Sequence, residues 1–251
     1  MMDKKTEKKA YRVVFDYFKN QILSGEIDIG YKLPAERDIA DQLGVSRNSV
    51  REAIRMLEMM GFVESLQGSG NYICCDPHGY FTQSFNMLMV LRGIRYEEIF
   101  ATRCAMEFEA FNLAEKNITQ EELDRLHSIV LQMDEPMSLK RNAKLDLEFH
   151  RILIQASHNT LMIYLTQLMS DLLDIFIENL RTSILADRRR ARALRAAHWD
   201  IYHSLVQHDI KLGHAAMDQH FSIVEDHIVK FEQQRPDFFE HKSESSSGDE
   251  S

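Results

Sequence analysis

Long amphipathic segments dominate the chain from residue 77 onward, and they limit the folds that it can adopt. Apolar residues recur there at the three- and four-residue intervals of one helix face, in segment after segment. The whole chain of 251 residues has only four prolines and ten glycines, which disfavours an architecture of strands and turns. Short connections separate the segments, as in bundles whose neighbouring helices run antiparallel. The sequence therefore predicts a mainly α protein, with an all-α antiparallel helical bundle over residues 80–232.

The composition is that of an ordinary globular protein, with 44% hydrophobic and 27% charged residues. No apolar run approaches the roughly 18–20 residues of a membrane span, and the N-terminus lacks the apolar stretch of a secretory signal. The three cysteines show no C-x-x-C spacing and predict neither a disulfide framework nor a zinc knuckle. We therefore expect a cytoplasmic protein of one or two domains with no membrane partner.

Residues 10–75 differ from the rest of the chain because they break into short pieces. A first helical pattern stops at Gly25, and a second ends at Gly44. Ser46 is placed to cap a third helix whose apolar residues form a single stripe. The stretch FVESLQGSGNYI then has the pattern of two short strands around a glycine-rich turn. Three helices followed by a hairpin predict a winged helix-turn-helix, a DNA-binding domain.

The third predicted helix carries arginines at four-residue intervals, namely Arg47, Arg51 and Arg55. This spacing puts them on one face, about a third of a turn from the apolar stripe, so the helix can pack while its guanidinium groups face outward. Such groups bind a guanine edge or a phosphate bidentately. The net charge of -9 does not exclude DNA, because a DNA footprint needs only a local basic surface. Surface arginines are often simply solvated, but the helix-turn-helix layout around these favours DNA contact.

Asp146 and His150 share one face of a later predicted helix, since they lie one turn apart in the stretch DLEFH. The apolar residues around them place the pair at or inside the packing face. An ionised carboxylate in that position is costly unless it is paired or bound to a cation. An imidazole nitrogen with a carboxylate oxygen suits Zn²⁺, Ni²⁺ or Mn²⁺.

A metal site needs further ligands, and His198 and His220 also lie near the packing faces of their helices. Spacing alone does not exclude other histidines: His127, His203, His214 and His227. A buried histidine is more often a hydrogen-bonded structural residue than a ligand. From the residues alone, both the structural and the metal-binding interpretation stay open.

The run KLPAERDIADQLGVSRNSVREAIRMLEMMGFVESLQGSGNYI resembles the winged head of the GntR family of bacterial transcription regulators almost end to end. The resemblance implies a set of DNA-contacting residues: Arg37, Ser46, Arg47, Asn48, Arg51, Gln67 and Gly68. The arginines are expected to be the principal contacts, and Gln67 with Gly68 is expected to form the wing tip in the minor groove. Members of the family bind palindromic operators as dimers, so the implied partners are double-stranded operator DNA and a second copy of the chain.

Residues 80–232 resemble the all-helical FCD domain of the FadR branch of that family. The pieces that carry the resemblance are DLEFH followed by ASHN, AHWDIYHSLVQHD and AAMDQHF. The resemblance implies four metal ligands: Asp146, His150, His198 and His220. Zinc is the metal we expect first, with nickel or manganese as alternatives.

Three imidazoles and one carboxylate leave coordination room for the carboxylate of a small effector. Arg103 matches an arginine in the first long helix of the family's ligand domain, and it is expected to pair with that carboxylate. An ion pair between Arg103 and Glu107 within the same helix is the alternative. The effector class implied by the resemblance is therefore a small carboxylate metabolite.

Together these observations favour a metabolite-responsive transcription regulator rather than an enzyme. In this hypothesis the effector shifts the relative placement of two DNA-binding heads, with repression as the default and activation as the alternative. The competing hypotheses are a regulator with a purely structural metal and a metal-dependent hydrolase. We also expect association with the bacterial nucleoid through operator binding, and disorder in the acidic tail, residues 241–251.

Overall fold

The computed structural model describes residues 4–75, 80–135, 137–169, 184–185 and 187–234. The chain forms two compact units that divide between Phe85 and Asn86. None of the helices in the described ranges is long and apolar enough to cross a membrane. The predicted disordered tail lies outside the described residues.

The first unit consists of three helices and a two-stranded hairpin: α1 (Lys4–Ser24), α2 (Glu36–Leu43), α3 (Arg47–Met59), β1 (Val63–Leu66) and β2 (Gly70–Ile73). The strands are antiparallel, and their register runs from the pair Val63 and Ile73 to the pair Leu66 and Gly70. Helices α1 and α2 pack against α3, which also contacts β1. The predicted winged helix-turn-helix is confirmed.

Local sequence signals set the bounds of α2 and α3. Gly44 ends α2 with φ at 65°, a left-handed conformation that favours glycine. Ser46 caps the start of α3, and its hydroxyl accepts a hydrogen bond of 3.1 Å from the backbone N–H of Ser49. The apolar stripe of α3 is buried in the core of this unit: Val50, Ala53, Ile54 and Leu57. The part of the α3 surface outside this stripe can therefore carry charged side chains.

The helices that follow the hairpin are α4 (Tyr80–Leu91), α5 (Tyr96–Asn117), α6 (Gln120–Asp134), α7 (Leu139–Ala156), α8 (Thr160–Leu168), α9 (Arg188–Gln207) and α10 (Ile210–Gln234). The division between the units falls within α4. Helix α7 packs on α5 and α6, while α10 packs on α5 and α9, and α9 also packs on α6. Very short connections join α5 to α6 and α9 to α10, as the predicted helical bundle requires. The end of the helix predicted after Asn159 lies partly outside the described residues.

The core of the second unit is mainly apolar but holds one group of ionisable side chains. Phe111, Phe149 and Leu153 are among its fully buried residues. Each of the following polar side chains in that core is at most 5% exposed: Arg103, Glu107, Asp146, His150, His198 and His220. Because buried charges cost free energy unless they are compensated, this group is the candidate site of the helical unit.

Candidate metal centre and DNA-binding surface

Helix α7 presents Asp146 and His150 to the core of the helical unit. The two side chains lie one turn apart and are 1% and 3% exposed. Their neighbours Phe149 and Leu153 are fully buried. The face of α7 that packs is therefore the face that carries the acid and the imidazole, as their spacing predicts.

Two more helices bring histidines to the same point. His198 on α9 and His220 on α10 are both 0% exposed. Four side chains each offer one ligand atom, and these four atoms all lie within 4.8 Å of one another: Asp146, His150, His198 and His220. We call this group the Asp–His cluster. It contains the four residues that the family resemblance implies as ligands, and it could hold a metal ion.

The separations between ligand atoms in the Asp–His cluster fit a metal ion. Oδ1 of Asp146 lies 2.9 Å from Nε2 of His198 and 3.6 Å from Nε2 of His150. Nε2 of His220 lies 3.7 Å from the same oxygen and 3.3 Å from Nε2 of His150. Tetrahedral zinc ligands with bonds of about 2.0–2.1 Å are about 3.3–3.4 Å apart. The cluster therefore offers one carboxylate and three imidazoles at separations that a divalent ion can bridge.

Contacts outside the cluster turn two of the histidine rings toward its centre. Nδ1 of His198 donates to the backbone carbonyl of Leu194 at 2.8 Å, because a carbonyl can only accept. Nδ1 of His150 faces a carboxylate oxygen of Glu107. A neutral imidazole with its proton on Nδ1 has a lone pair on Nε2, and that form binds a metal through Nε2.

The pKa values of the buried histidines shift in opposite directions. Burial lowers the pKa of His220 well below its usual range, and the charges of His150 and His198 lower it further, against an opposing hydrogen bond that Asp146 accepts. Burial also acts to lower the pKa of His150, but the charge of Glu107 and the hydrogen bonds with Asp146 and Glu107 together outweigh it, and the pKa of His150 is raised. Burial thus favours the neutral form of His220, which is the form that can bind a metal, whereas the charge of Glu107 favours the protonated form of His150.

An ion pair on α5, between Arg103 and Glu107, adjoins the Asp–His cluster. Nε of Arg103 donates to Oε1 of Glu107 at 2.5 Å. Burial acts to raise the pKa of Glu107, but the charges of Arg103 and His150 outweigh it and lower the pKa to about 2. Nη2 of Arg103 is buried and has no hydrogen-bond partner among the described residues. The intrahelical pair expected as an alternative therefore forms, and it leaves a guanidinium nitrogen to interact with an anion.

The contact of Glu107 with His150 is the feature of this centre that sequence analysis missed. The sequence indicated Glu107 only as an intrahelical partner of Arg103. Its spacing from Arg103 places both side chains on one face of α5, which was the available signal that it points inward. Its proximity to His150 depends on how α5 packs against α7, and no local pattern predicts that.

The predicted DNA-binding surface of the first unit lies on α3 and the turn before it. Ser46, Arg47, Asn48 and Arg51 are exposed there. Nη2 of Arg51 donates to Oε2 of Glu36, the first residue of α2, at 3.0 Å. An exposed pair of this kind adds little to stability, so its main consequence is to define where the Arg51 guanidinium lies. Sequence analysis did not predict this pair.

The remaining predicted DNA-contacting residues lie on α2 and on the wing. Arg37 is exposed, and its Nε lies 3.4 Å from Oδ1 of Asp38. Gln67 and Gly68 are exposed in the turn between β1 and β2. Gly68 has φ at 76°, a left-handed conformation that favours glycine. What each of these residues contacts in DNA stays a prediction.

Two family models match the chain, one for each unit. The model described as bacterial regulatory proteins of the gntR family matches residues 10–73. The model of the FCD domain matches residues 98–222. The first match covers the winged helix-turn-helix, and the second includes every residue of the Asp–His cluster.

Several known regulators are similar to the chain over most of its length. The HTH-type transcriptional regulator LutR of Bacillus subtilis strain 168 is 28% identical over 210 residues, which cover 82% of this chain and 94% of that relative. The Glc operon transcriptional activator of Escherichia coli strain K12 is 26% identical over 210 residues, covering 81% of this chain and 82% of the relative. A solved structure of the GntR protein of Streptococcus agalactiae matches with a TM-score of 0.59 and 25% identity, covering 86% of this chain and 99% of that one. The chain is thus a DNA-binding transcription regulator of the GntR family, in the FadR branch whose second domain is the FCD effector-binding domain.

Proposed function

We propose that the protein binds a palindromic operator as a homodimer, with α3 of each copy in the major groove of one half-site. The supporting observation is that α3 is packed through its apolar stripe while Arg47 and Arg51 are exposed beside it. A helix fixed in this way presents guanidinium groups to base edges and phosphates in a defined position. Gln67 and Gly68 at the wing tip are proposed to reach the adjacent minor groove. Two-fold symmetry of the dimer explains why the operator is palindromic.

Replacing Arg47 or Arg51 with alanine is expected to weaken operator binding about 10–100-fold, since a bidentate contact to a base is worth about 1–3 kcal/mol. The DNA probe is a duplex selected from a random library by the wild-type protein, and affinity is measured by fluorescence anisotropy at fixed salt. Arg125→Ala, at an exposed position on α6, is the control and should bind normally. If both α3 variants bind the selected duplex like the wild type, α3 is not the recognition helix.

The helical unit is proposed to bind a divalent metal through the Asp–His cluster, with zinc first and nickel or manganese as alternatives. The supporting observation is the convergence of one carboxylate and three imidazoles in a core where each is at most 3% exposed. Such a donor set suits these ions. When bound, the metal would supply positive charge, and a carboxylate could coordinate it if the ion expanded beyond its four protein ligands.

The proposed effector is a small carboxylate metabolite that Arg103 helps to hold. Arg103 is 5% exposed, and its Nη2 has no hydrogen-bond partner among the described residues. A buried guanidinium nitrogen without a partner is costly, and a carboxylate removes that cost through a charge-assisted hydrogen bond. Asp146 lies close enough to Arg103 to act on its pKa, so the guanidinium is near the Asp–His cluster.

The effector is proposed to change DNA affinity by favouring one placement of the two DNA-binding heads. It can do so only to the extent that its own affinity differs between the two arrangements. We propose a repressor, which excludes the transcription machinery from the operator until the carboxylate releases it. Activation is the alternative, and one similar protein is named an operon activator.

A purely structural metal is the second candidate for the helical unit. The Asp–His cluster joins α7, α9 and α10, so a metal there would also link three helices without any effector. A hydrolase has less support, because the family models and relatives reported are those of transcription regulators. A response of DNA affinity to carboxylates separates sensing from the structural role.

A further inference from the structure

Glu107 lies between two donors in the core of the helical unit. Oε1 accepts from Nε of Arg103 at 2.5 Å, while Oε2 lies against Nδ1 of His150. Glu107 is only 1% exposed, so solvent cannot readily replace it at either donor. The carboxylate therefore connects α5 with a proposed metal ligand on α7.

The contact with Glu107 decides which nitrogen of His150 is free. A carboxylate only accepts hydrogen bonds, so the Nδ1 atom that faces it carries the proton. In the neutral ring the lone pair is then on Nε2, which lies 3.6 Å from Oδ1 of Asp146 and 3.3 Å from Nε2 of His220. The proton thus stays on the side of the ring away from the centre of the Asp–His cluster.

The three histidines of the Asp–His cluster differ in what their Nδ1 atoms contact, and therefore in what fixes the orientation of each ring. His198 obtains the same ring orientation from the backbone carbonyl of Leu194. Nδ1 of His220 has no hydrogen-bond partner among the described residues. His150 is the member whose orientation depends on the side chain of another helix, and that side chain is Glu107.

We propose that Glu107 is a positioning residue for the metal, holding the His150 ring in the orientation and tautomer that bind through Nε2. The inference rests on the proposed metal site and extends it to a residue outside the ligand set. Partners of this kind raise ligand basicity as well as fixing the ring, and losing one typically costs about 10–100-fold in metal affinity.

Glu107→Gln is a sharp test because it preserves the shape of the side chain while it removes the negative charge and changes the pattern of donors and acceptors. The amide has one oxygen for the two donors that Glu107 serves. Its oxygen is retained by the Arg103 guanidinium, since hydrogen bonds to charged groups are the stronger ones. Its NH₂ group then faces Nδ1 of His150 and favours the tautomer with the proton on Nε2. That tautomer has no lone pair for a metal at the cluster.

The experiment measures zinc affinity of the full chain by competition with a chromophoric chelator. Glu107→Gln is expected to lower the affinity about 10–100-fold. Glu109→Gln, the same substitution at an exposed position on α5, is the matched control and should match the wild type.

A second readout is the nitrogen-15 shifts of the His150 ring in metal-free protein at mildly alkaline pH. They should report a proton on Nδ1 in the wild type and on Nε2 in Glu107→Gln, a change that a merely structural role would not produce.

A double variant, Arg103→Met with Glu107→Met, covers the case in which the single variant does not fold. It removes both members of the Arg103–Glu107 ion pair together, and apolar replacement of a buried ion pair is often nearly neutral for stability. The acceptor for Nδ1 of His150 is still lost, so the zinc affinity should again fall at least tenfold.

Three outcomes are distinct. Loss of affinity with a changed tautomer supports the proposal. Wild-type zinc affinity in either variant overturns it while leaving the metal site intact. If the wild-type protein itself binds no zinc, the proposed metal site fails, and the ring shifts still show whether Glu107 controls His150.

Discussion

Replacing His198 with alanine is expected to abolish stable metal binding by the helical unit. Nε2 of His198 makes the shortest contact to Oδ1 of Asp146 in the cluster, at 2.9 Å, and its side chain is 0% exposed. Water enters such a site poorly and does not replace a fixed imidazole. The affinity should fall by more than the roughly 10–100-fold that the loss of an outer hydrogen-bond partner causes. Metal content after dialysis and chelator competition measure the effect.

His203→Ala is the matched control for His198→Ala, because His203 lies on the same helix and is exposed. It should retain the wild-type metal content. Metal added at about a hundred times its dissociation constant should stabilise the wild type and the control by about 2.7 kcal/mol, since it binds only the folded state. His198→Ala should show no such stabilisation. Equal metal affinity in His198→Ala and His203→Ala would remove His198 from the ligand set.

Gly213→Ala is expected to destabilise the helical unit, although alanine normally stabilises a helix relative to glycine. A Cβ built on Gly213 would lie 1.9 Å from Cζ of Phe111 and 2.6 Å from its Cε1. Phe111 is 0% exposed, so its ring can move only by displacing other core side chains. Overpacking of this kind costs about 1–3 kcal/mol, and occasionally more. Urea unfolding followed by circular dichroism measures the change in the free energy of unfolding.

A double-mutant cycle with Phe111→Leu identifies the cause of the Gly213→Ala effect. The smaller side chain gives the new methyl group space, so the double variant should be more stable than the sum of the two single effects predicts. The coupling should lie within the roughly 0.5–3 kcal/mol seen for residues in contact. Additive effects would mean that the clash with Phe111 is not the cause. A stabilising Gly213→Ala would show that α10 and α5 do not pack as closely as described.

The first unit was predictable from sequence because its signals are local. Gly44 and Ser46 mark the end of one helix and the start of the next within a few residues, through backbone conformation and capping. His158 and His208, which follow the ends of α7 and α9, adopt the left-handed conformation. Helical spacing likewise placed Asp146 on the packing face of α7. Each of these features depends on neighbours within about one turn.

Features that depend on packing between helices were not predictable from sequence. The pair of Arg51 with Glu36 joins α2 and α3. The contact of Glu107 with His150 joins α5 and α7, and the close approach of Gly213 to Phe111 joins α10 and α5. Spacing along one helix gives the face of a side chain but not its partner on another helix. Only the family resemblance predicts the Asp–His cluster as a set of metal ligands, because the residues alone leave a structural role for each histidine open.

The most direct test of metal-dependent sensing measures DNA affinity in the presence of each of a panel of small carboxylates. The affinity is measured first with the metal-loaded protein and again after chelation. We expect at least one carboxylate to change the affinity for the selected duplex by about 5–150-fold, the usual range of allosteric coupling. The effect should disappear after chelation and weaken in Arg103→Lys, which keeps a positive charge beside Glu107 but lacks the planar fork for a carboxylate. If every carboxylate leaves the DNA affinity of the metal-loaded protein unchanged, sensing through the Asp–His cluster is contradicted and the structural role of the metal is favoured.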